Sequence, residues 1–185
     1  VYPEYKIGIV GTYVSGSPKE CLEYKCFDVG FIGDGVYALI NYLKTDLKTD
    51  LHKIKGIIFR DEFGFIKLND PEIVVPQDKL EYDLPDYPWE LLPFKNKPLD
   101  IYRCHNWHAN YIEEDRSPFA TIYTSLGCIK RCQFCVINLI NRTDYSDGIT
   151  SANSALMRFW PTHWILNQLD KLVKLGIRNI RIADE

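Results

Sequence analysis

Apolar and polar positions follow short, interrupted rhythms along the first third of the chain. Residues 6–10 (KIGIV) form a brief apolar run between polar flanks, which predicts a buried strand, and Gly11-Thr12-Tyr13 reads as the turn after it. Gly16-Ser17-Pro18-Lys19-Glu20 then carries helix-start signals. Ser17 suits an N-cap, Pro18 the first helical position, and Glu20 completes a capping box for a helix to about Tyr24. Residues 27–32 (FDVGFI) predict a second strand and Gly33-Asp34-Gly35 a second turn; residues 36–43 predict a helix with Val36, Leu39, Ile40 and Leu43 on one face. Strand, turn and helix, twice over, imply parallel βα units. Residues 56–60 and 65–68, around Asp61-Glu62-Phe63-Gly64, predict a β-hairpin appended to the sheet.

Between residues 69 and 98 the rhythm fails and Pro71, Pro76, Pro85, Pro88, Pro93 and Pro98 gather, which predicts a linker crossing a surface in extended form. Tyr102-Arg103-Cys104-His105-Asn106-Trp107-His108 follows, dense in groups that bind metal, accept protons or stack, and equally suited to an interdomain connector. Residues 119–124 predict a strand closed by Ser125-Leu126-Gly127. Residues 138–155 read as polar and irregular, with a turn at Asp144-Tyr145-Ser146-Asp147-Gly148. Residues 161–175 predict an amphipathic helix with Ile165, Leu169, Leu172 and Val173 on one face and Gly176 as its stop, and residues 177–183 a strand. The expected fold is α/β: a partial Rossmann-like parallel-sheet domain (1–70), a proline-rich linker (71–117), and the first βαβ unit of a TIM-like partial barrel (118–185). Barrel sites lie at the C-terminal ends of strands, where Asp184 and Glu185 fall. Val1 in place of Met, and an end directly after a strand, predict that the chain continues at both ends.

Composition narrows this picture. The 185 residues are 46% hydrophobic and 25% charged with a net charge of −3, which gives no electrostatic footprint for nucleic acid. No apolar run reaches the roughly 18 residues of a membrane helix and no signal sequence opens the chain, so a cytoplasmic location is expected.

The sharpest chemistry is Cys128-Ile129-Lys130-Arg131-Cys132-Gln133-Phe134-Cys135. Three thiolates at spacings of four and three hold three corners of a cubane iron-sulfur cluster, and one iron stays open to an outside molecule. Lys130 and Arg131 offset the negative charge such a cluster carries. A zinc site uses four ligands, often as two separated pairs, and nothing after Cys135 supplies a second pair. Three cysteines in eight residues cannot all pair locally as disulfides.

This CxxxCxxC loop, with its aromatic before the last cysteine and Gly127 before the first, resembles the radical S-adenosylmethionine superfamily. The resemblance implies a 4Fe-4S cluster on Cys128, Cys132 and Cys135, with S-adenosylmethionine on the open iron. Phe134 would lie near the adenine, and Asp184 and Glu185 near the amino group. The implied reaction is reductive cleavage to methionine and a 5′-deoxyadenosyl radical that abstracts hydrogen from a substrate. An electron donor such as flavodoxin or ferredoxin and a substrate of unknown identity are the implied partners. The order of signals before the loop, together with Asp83-Leu84-Pro85-Asp86-Tyr87-Pro88-Trp89, resembles the second half of the cobalamin-binding domain that precedes many of these enzymes. Cobalamin, and methyl transfer through it, is then implied, with Gly11, Thr12, Gly33, Asp34 and Gly35 lining its site; the same glycines equally make tight turns. Asp50-Leu51-His52-Lys53-Ile54-Lys55-Gly56 nearly spells a cobalt-ligating histidine signature, but its glycine falls one residue late, so His52 is expected at the surface. Two alternatives stay open. A methylthiotransferase shares the cysteine motif but needs further cluster cysteines, and Cys21, Cys26 and Cys104 form no obvious second set. A non-catalytic zinc-binding interaction module is the other.

Overall fold

The computed structural model describes residues 5–45, 50–84, 86–92, 110–112, 114, 116, 118–130, 132, 134–141 and 157–184. Its elements in chain order are β1 (Gly8–Val10), α1 (Thr12–Gly16), α2 (Pro18–Glu23), β2 (Val29–Phe31), α3 (Val36–Lys44), β3 (Ile57–Arg60), β4 (Ile66–Leu68), α4 (Leu80–Asp83), β5 (Phe119–Ile122), β6 (Ser125–Gly127), α5 (Ile137–Ile140), β7 (Met157–Phe159), α6 (Thr162–Lys174) and β8 (Asn179–Ile182). They fall into two compact units, Val1–Gln77 with Gly127–Arg158, and Asp78–Leu126 with Phe159–Glu185. The chain passes between them three times, after Gln77, inside β6 and inside β7. Boundaries drawn at residues 70 and 117 follow proline content, whereas these follow the packing, which groups the three-cysteine loop with the first unit.

The first unit is built on a four-stranded sheet in the order β1-β2-β3-β4. β1 and β2 run parallel, Gly8 opposite Val29 and Val10 opposite Phe31, and the β3–β4 hairpin adds antiparallel to β2. The period-2 alternation of strands sends Val29, Phe31, Ile57 and Phe59 to one face, where they pack with Ala38 and Tyr42 of α3. Ile58 goes to the other face with Val14, Cys21 and Leu22 of α1 and α2. Both faces are therefore covered, the arrangement expected of an α/β layer. Gly30 makes the second face possible: a Cβ there would lie 2.5 Å from Val14 Cγ2 and 2.8 Å from Ile58 Cγ2.

Three local expectations need correction here. Pro18 does open a helix, but Ser17 makes no side-chain cap, because it is also the end of α1 and its backbone (φ −136°, ψ 63°) leaves the extended capping geometry. In α3 the face carrying Leu39, Ile40 and Leu43 is exposed; the helix buries Ala38 and Tyr42, with Tyr42 edge-on to Phe31 at 5.5 Å. Residues 138–155 are not irregular from their start, since α5 occupies Ile137–Ile140 and buries Asn138.

In the second unit β5 and β8 pair in parallel, Phe119 opposite Asn179 and Ile122 opposite Ile182, with α6 on the crossover between them. This is the βαβ unit the sequence predicts, and Gly176 (φ 83°) stops α6 in the left-handed conformation. Its core gathers Trp89, Ala120, Ile122, Leu172 and Ile177. Two corrections follow. The proline-rich stretch is not a surface linker throughout: Val74, Val75, Leu80 and Trp89 are buried, so its apolar residues are core even though they follow no helix or strand period. The inner face of α6 keeps the expected Leu172, with Leu169 packed against the core, but it also includes Trp164 and Gln168, one turn apart, while Val173 is exposed.

Candidate functional site: a three-cysteine loop, two glycine turns and a carboxylate

Gly127 ends β6 with φ 88°, a left-handed conformation that turns the chain out of the strand and into the cysteine loop. Cys128 and Cys135 are half-buried and Cys132 is exposed, and none is in a disulfide. The Lys130 amide donates to Cys128 Sγ at 3.4 Å, and hydrogen bonds to sulfur are among the levers that set a cluster's potential. The Cys135 amide donates to the Cys132 carbonyl at 3.1 Å, closing a tight turn around Phe134, whose ring is 92% exposed. Asn138, buried in α5, donates to the Lys130 carbonyl at 2.7 Å and so ties the following helix back to the middle of the loop. Among the described residues no three His, Cys, Asp or Glu side chains converge on one ion. A cubane takes one thiolate per iron, so its ligands stand further apart than those of a single zinc. Three uncrosslinked cysteines on one accessible loop are a donor set that fits the cluster.

The two glycine turns meet at the C-terminal ends of β1 and β2. Ser15 joins them: its hydroxyl donates to the Gly11 carbonyl at 2.8 Å and accepts from the Gly33 amide at 3.1 Å. Gly11 (φ 118°) faces open space, with nothing within 4 Å of where a Cβ would stand, and Thr12 is exposed beside it. Gly33 and Gly35 take φ 78° and 71°. Asp34, between them, turns inward. Its Oδ2 accepts from the Val75 amide at 2.8 Å and from Arg158 Nη1 at 3.1 Å. The helix after the cysteine loop rests on these turns: a Cβ on Gly33 would lie 3.6 Å from the Ile140 carbonyl, and one on Gly16 3.7 Å from Leu139 Cδ1. Ser15 and Arg158 carry no sequence signal for these roles, since each acts through partners distant in sequence. A cleft of about 630 Å³, lined by Lys6, Asp28, Tyr42 and Arg60 among others, opens at the N-terminal ends of the same strands, away from these residues.

In the second unit Asp184 follows β8. Its Oδ1 accepts the amides of Thr124 at 2.7 Å and Ser125 at 3.0 Å, and its Oδ2 accepts the Thr124 hydroxyl. Burial works to raise its pKa, but the bonds from the Thr124 hydroxyl and the two amides outweigh it and hold the carboxyl below the usual range. His52 is exposed, edge-on to Phe59 at 5.0 Å, as a surface residue should be. Glu185, Arg131 and residues 102–108 lie outside the described residues. No described helix is long and apolar enough to cross a membrane.

No protein-family model matches the chain. No curated protein matches it either. Solved structures do. The cobalamin-dependent S-adenosylmethionine radical enzyme OxsB, with aqua-cobalamin and S-adenosylmethionine bound, aligns over 97% of this chain and 21% of its own, at 24% identity and a TM-score of 0.58. The radical S-adenosylmethionine methyltransferase TsrM from Kitasatospora setae, with cobalamin and a 4Fe-4S cluster bound, aligns over 97% of this chain and 31% of its own, at 19% identity and a TM-score of 0.60. TsrM with its tryptophan substrate and the analogue aza-SAM bound aligns at 20% identity and 0.55. The chain thus spans about a fifth to a third of the proteins it matches. At these identities the likeness establishes the fold: a Rossmann-like α/β layer joined to the opening of a partial barrel.

Proposed function

We propose that the chain is the cofactor-assembling part of a radical S-adenosylmethionine enzyme of the cobalamin-dependent kind. One observation carries the reading. A loop with three free cysteines and no fourth stands in a fold shared with two enzymes described as using these cofactors. Cys128, Cys132 and Cys135 would hold a 4Fe-4S cluster, leaving one iron for S-adenosylmethionine. When bound and reduced by one electron, that pair would supply reductive cleavage of S-adenosylmethionine and the one-electron chemistry that follows from it.

This chain's residues bind and orient. Phe134 offers an exposed ring for the adenine. Asp184, a carboxylate held by Thr124 and Ser125, would offer an acceptor to an ammonium. Gly11 and Thr12 offer the open end of the sheet to a corrin, at the strand ends where ligands of open α/β sheets sit. Asp34 Oδ2 is engaged by Arg158 and the Val75 amide, so its part there would be to hold the turn between Gly33 and Gly35. The substrate, a flavodoxin- or ferredoxin-class electron donor, methyl transfer through cobalamin and a cytoplasmic setting belong to the same proposal. Turnover is expected to require more of the protein than these 185 residues, because the matched enzymes are three to five times longer.

The test is anaerobic reconstitution, with iron and sulfide counted per chain and electron paramagnetic resonance recorded after reduction. About four irons and four sulfides, with a signal that shifts on adding S-adenosylmethionine, are expected. Zinc without sulfide, or a cluster indifferent to S-adenosylmethionine, overturns the reading.

A further inference from the structure

Among the described residues Arg158 is the most deeply buried charged side chain of the first unit, at 4% exposure, and it stands outside every motif in the sequence. Its Nη1 donates to Asp34 Oδ2 at 3.1 Å and to the Val75 carbonyl at 2.7 Å, and its Nη2 donates to Asn141 Oδ1 at 2.6 Å. Asn141 in turn donates from Nδ2 to the Ile137 carbonyl at 2.9 Å, so it is fixed to its own helix. Asn138, one turn earlier on α5, holds the Lys130 carbonyl inside the cysteine loop. A continuous hydrogen-bonded path therefore runs from the loop through Asn138, α5, Asn141 and Arg158 to the Asp34 turn.

A buried guanidinium is costly unless its charge and donors are met, and a rigid fork meets them in one geometry only. Here one arm of the fork grips the turn and the other grips α5. α5 is only four residues long, too short to be stable alone, so its position depends on what it is bonded to.

We propose that Arg158 is a positioning residue: it locks the helix after the three-cysteine loop onto the Gly33-Asp34-Gly35 turn, so that loop and turn keep one fixed relation. Its meaning for chemistry rests on the cluster reading of the loop, since it would then hold the cluster against the strand ends of the α/β layer. The geometry does not rest on that reading, and neither does its test.

The test measures the alkylation rate of each cysteine by iodoacetamide in the iron-free, reduced 185-residue chain, by mass spectrometry. Cys21, fully buried on α2, reports global unfolding, and exposed Cys26 reports reagent access. Arg158→Met is expected to speed the reaction of half-buried Cys128 and Cys135 at least tenfold while Cys21 and Cys26 keep their wild-type rates. Asn141→Leu removes the arm to α5 together with Asn141's own bond to the Ile137 carbonyl, leaves the bond to Asp34, and should give the same pattern if Arg158→Met fails to fold. Acceleration of Cys21 in step with the loop cysteines in both variants would show general destabilisation and overturn the proposal. Unchanged Cys128 and Cys135 rates would overturn it equally. Because no iron is present, failure of the cluster reading shows only in reconstitution and leaves these rates untouched.

Discussion

At the scale of single residues, chemistry and architecture are carried by different side chains. Cys132 is exposed and contributes no buried surface, so Cys132→Ser should leave the melting temperature within about 2 °C, the shift expected when surface changes stay within ~0.5 kcal/mol. Iron bound after reconstitution should fall sharply in the same variant; full iron with Ser at 132 would remove it from the ligand set. Gln168 behaves in the opposite way. It is fully buried, accepts from Trp89 Nε1 at 3.0 Å and donates to Asp86 Oδ1 at 2.7 Å. Gln168→Leu keeps the bulk but strands the indole N–H, which should cost about 1–3 kcal/mol in denaturant unfolding followed by tryptophan emission. A cost below the error of extrapolation would mean that the indole finds another acceptor. The three-cysteine loop stands out in the sequence because its spacing is local. Gln168, Ser15 and Arg158 do not, because each is defined by a partner far away: Gly33 lies 18 positions from Ser15, and Asp34 lies 124 from Arg158.

At the scale of elements, periodicity located most strands and helices but did not say which stripe turns inward. The hairpin, the Pro18 helix start and the Gly176 stop are encoded by residues with restricted or permissive backbones, and they stand where expected. In α3 the larger apolar stripe is outside, because a small residue and a flat ring fit the sheet better: a Cβ on Gly56 would lie 3.2 Å from that of Ala38, and Tyr42 meets Phe31 edge-on. In α6 the position at 168 is polar yet innermost, since Trp89 and Asp86 supply what its amide needs. Close approach also explains Gly30 within the FDVGFI run. Gly30→Ala forces a methyl between Val14 and Ile58, and the helix layer of α1 and α2 must retreat. An increase in side-chain bulk at such a site costs about 1–3 kcal/mol. Hydrogen exchange should show the loss concentrated in α1 and α2, and uniform loss across α3 as well would mean that the two faces of the sheet do not respond separately.

At the scale of the whole molecule, the two units should answer acid differently. Asp86 and Asp184 both belong to the second unit, and both are held below the usual carboxylate range. For Asp86 burial pushes upward, and the bonds from Lys171, Gln168 and the Tyr87 amide more than offset it. A carboxylate whose folded pKa is depressed adds stability that is fully present above its unfolded value near 3.9, and that stability is lost as pH falls through the lower folded value. Stability of the second unit should therefore hold down to about pH 4 and then decline with further acid. Trp89, Trp160 and Trp164 all lie in this unit, the last two stacked at 4.7 Å, so tryptophan emission during denaturant unfolding reports it. In the double variant Asp86→Asn, Asp184→Asn the unit should be less stable at neutral pH and much flatter between pH 4 and pH 2. An acid slope unchanged by the double substitution would place the proton uptake on other groups. It would also leave the Thr124 and Ser125 contacts of Asp184 as geometry without charge, and so weaken the case that this carboxylate stays ionised to receive an ammonium.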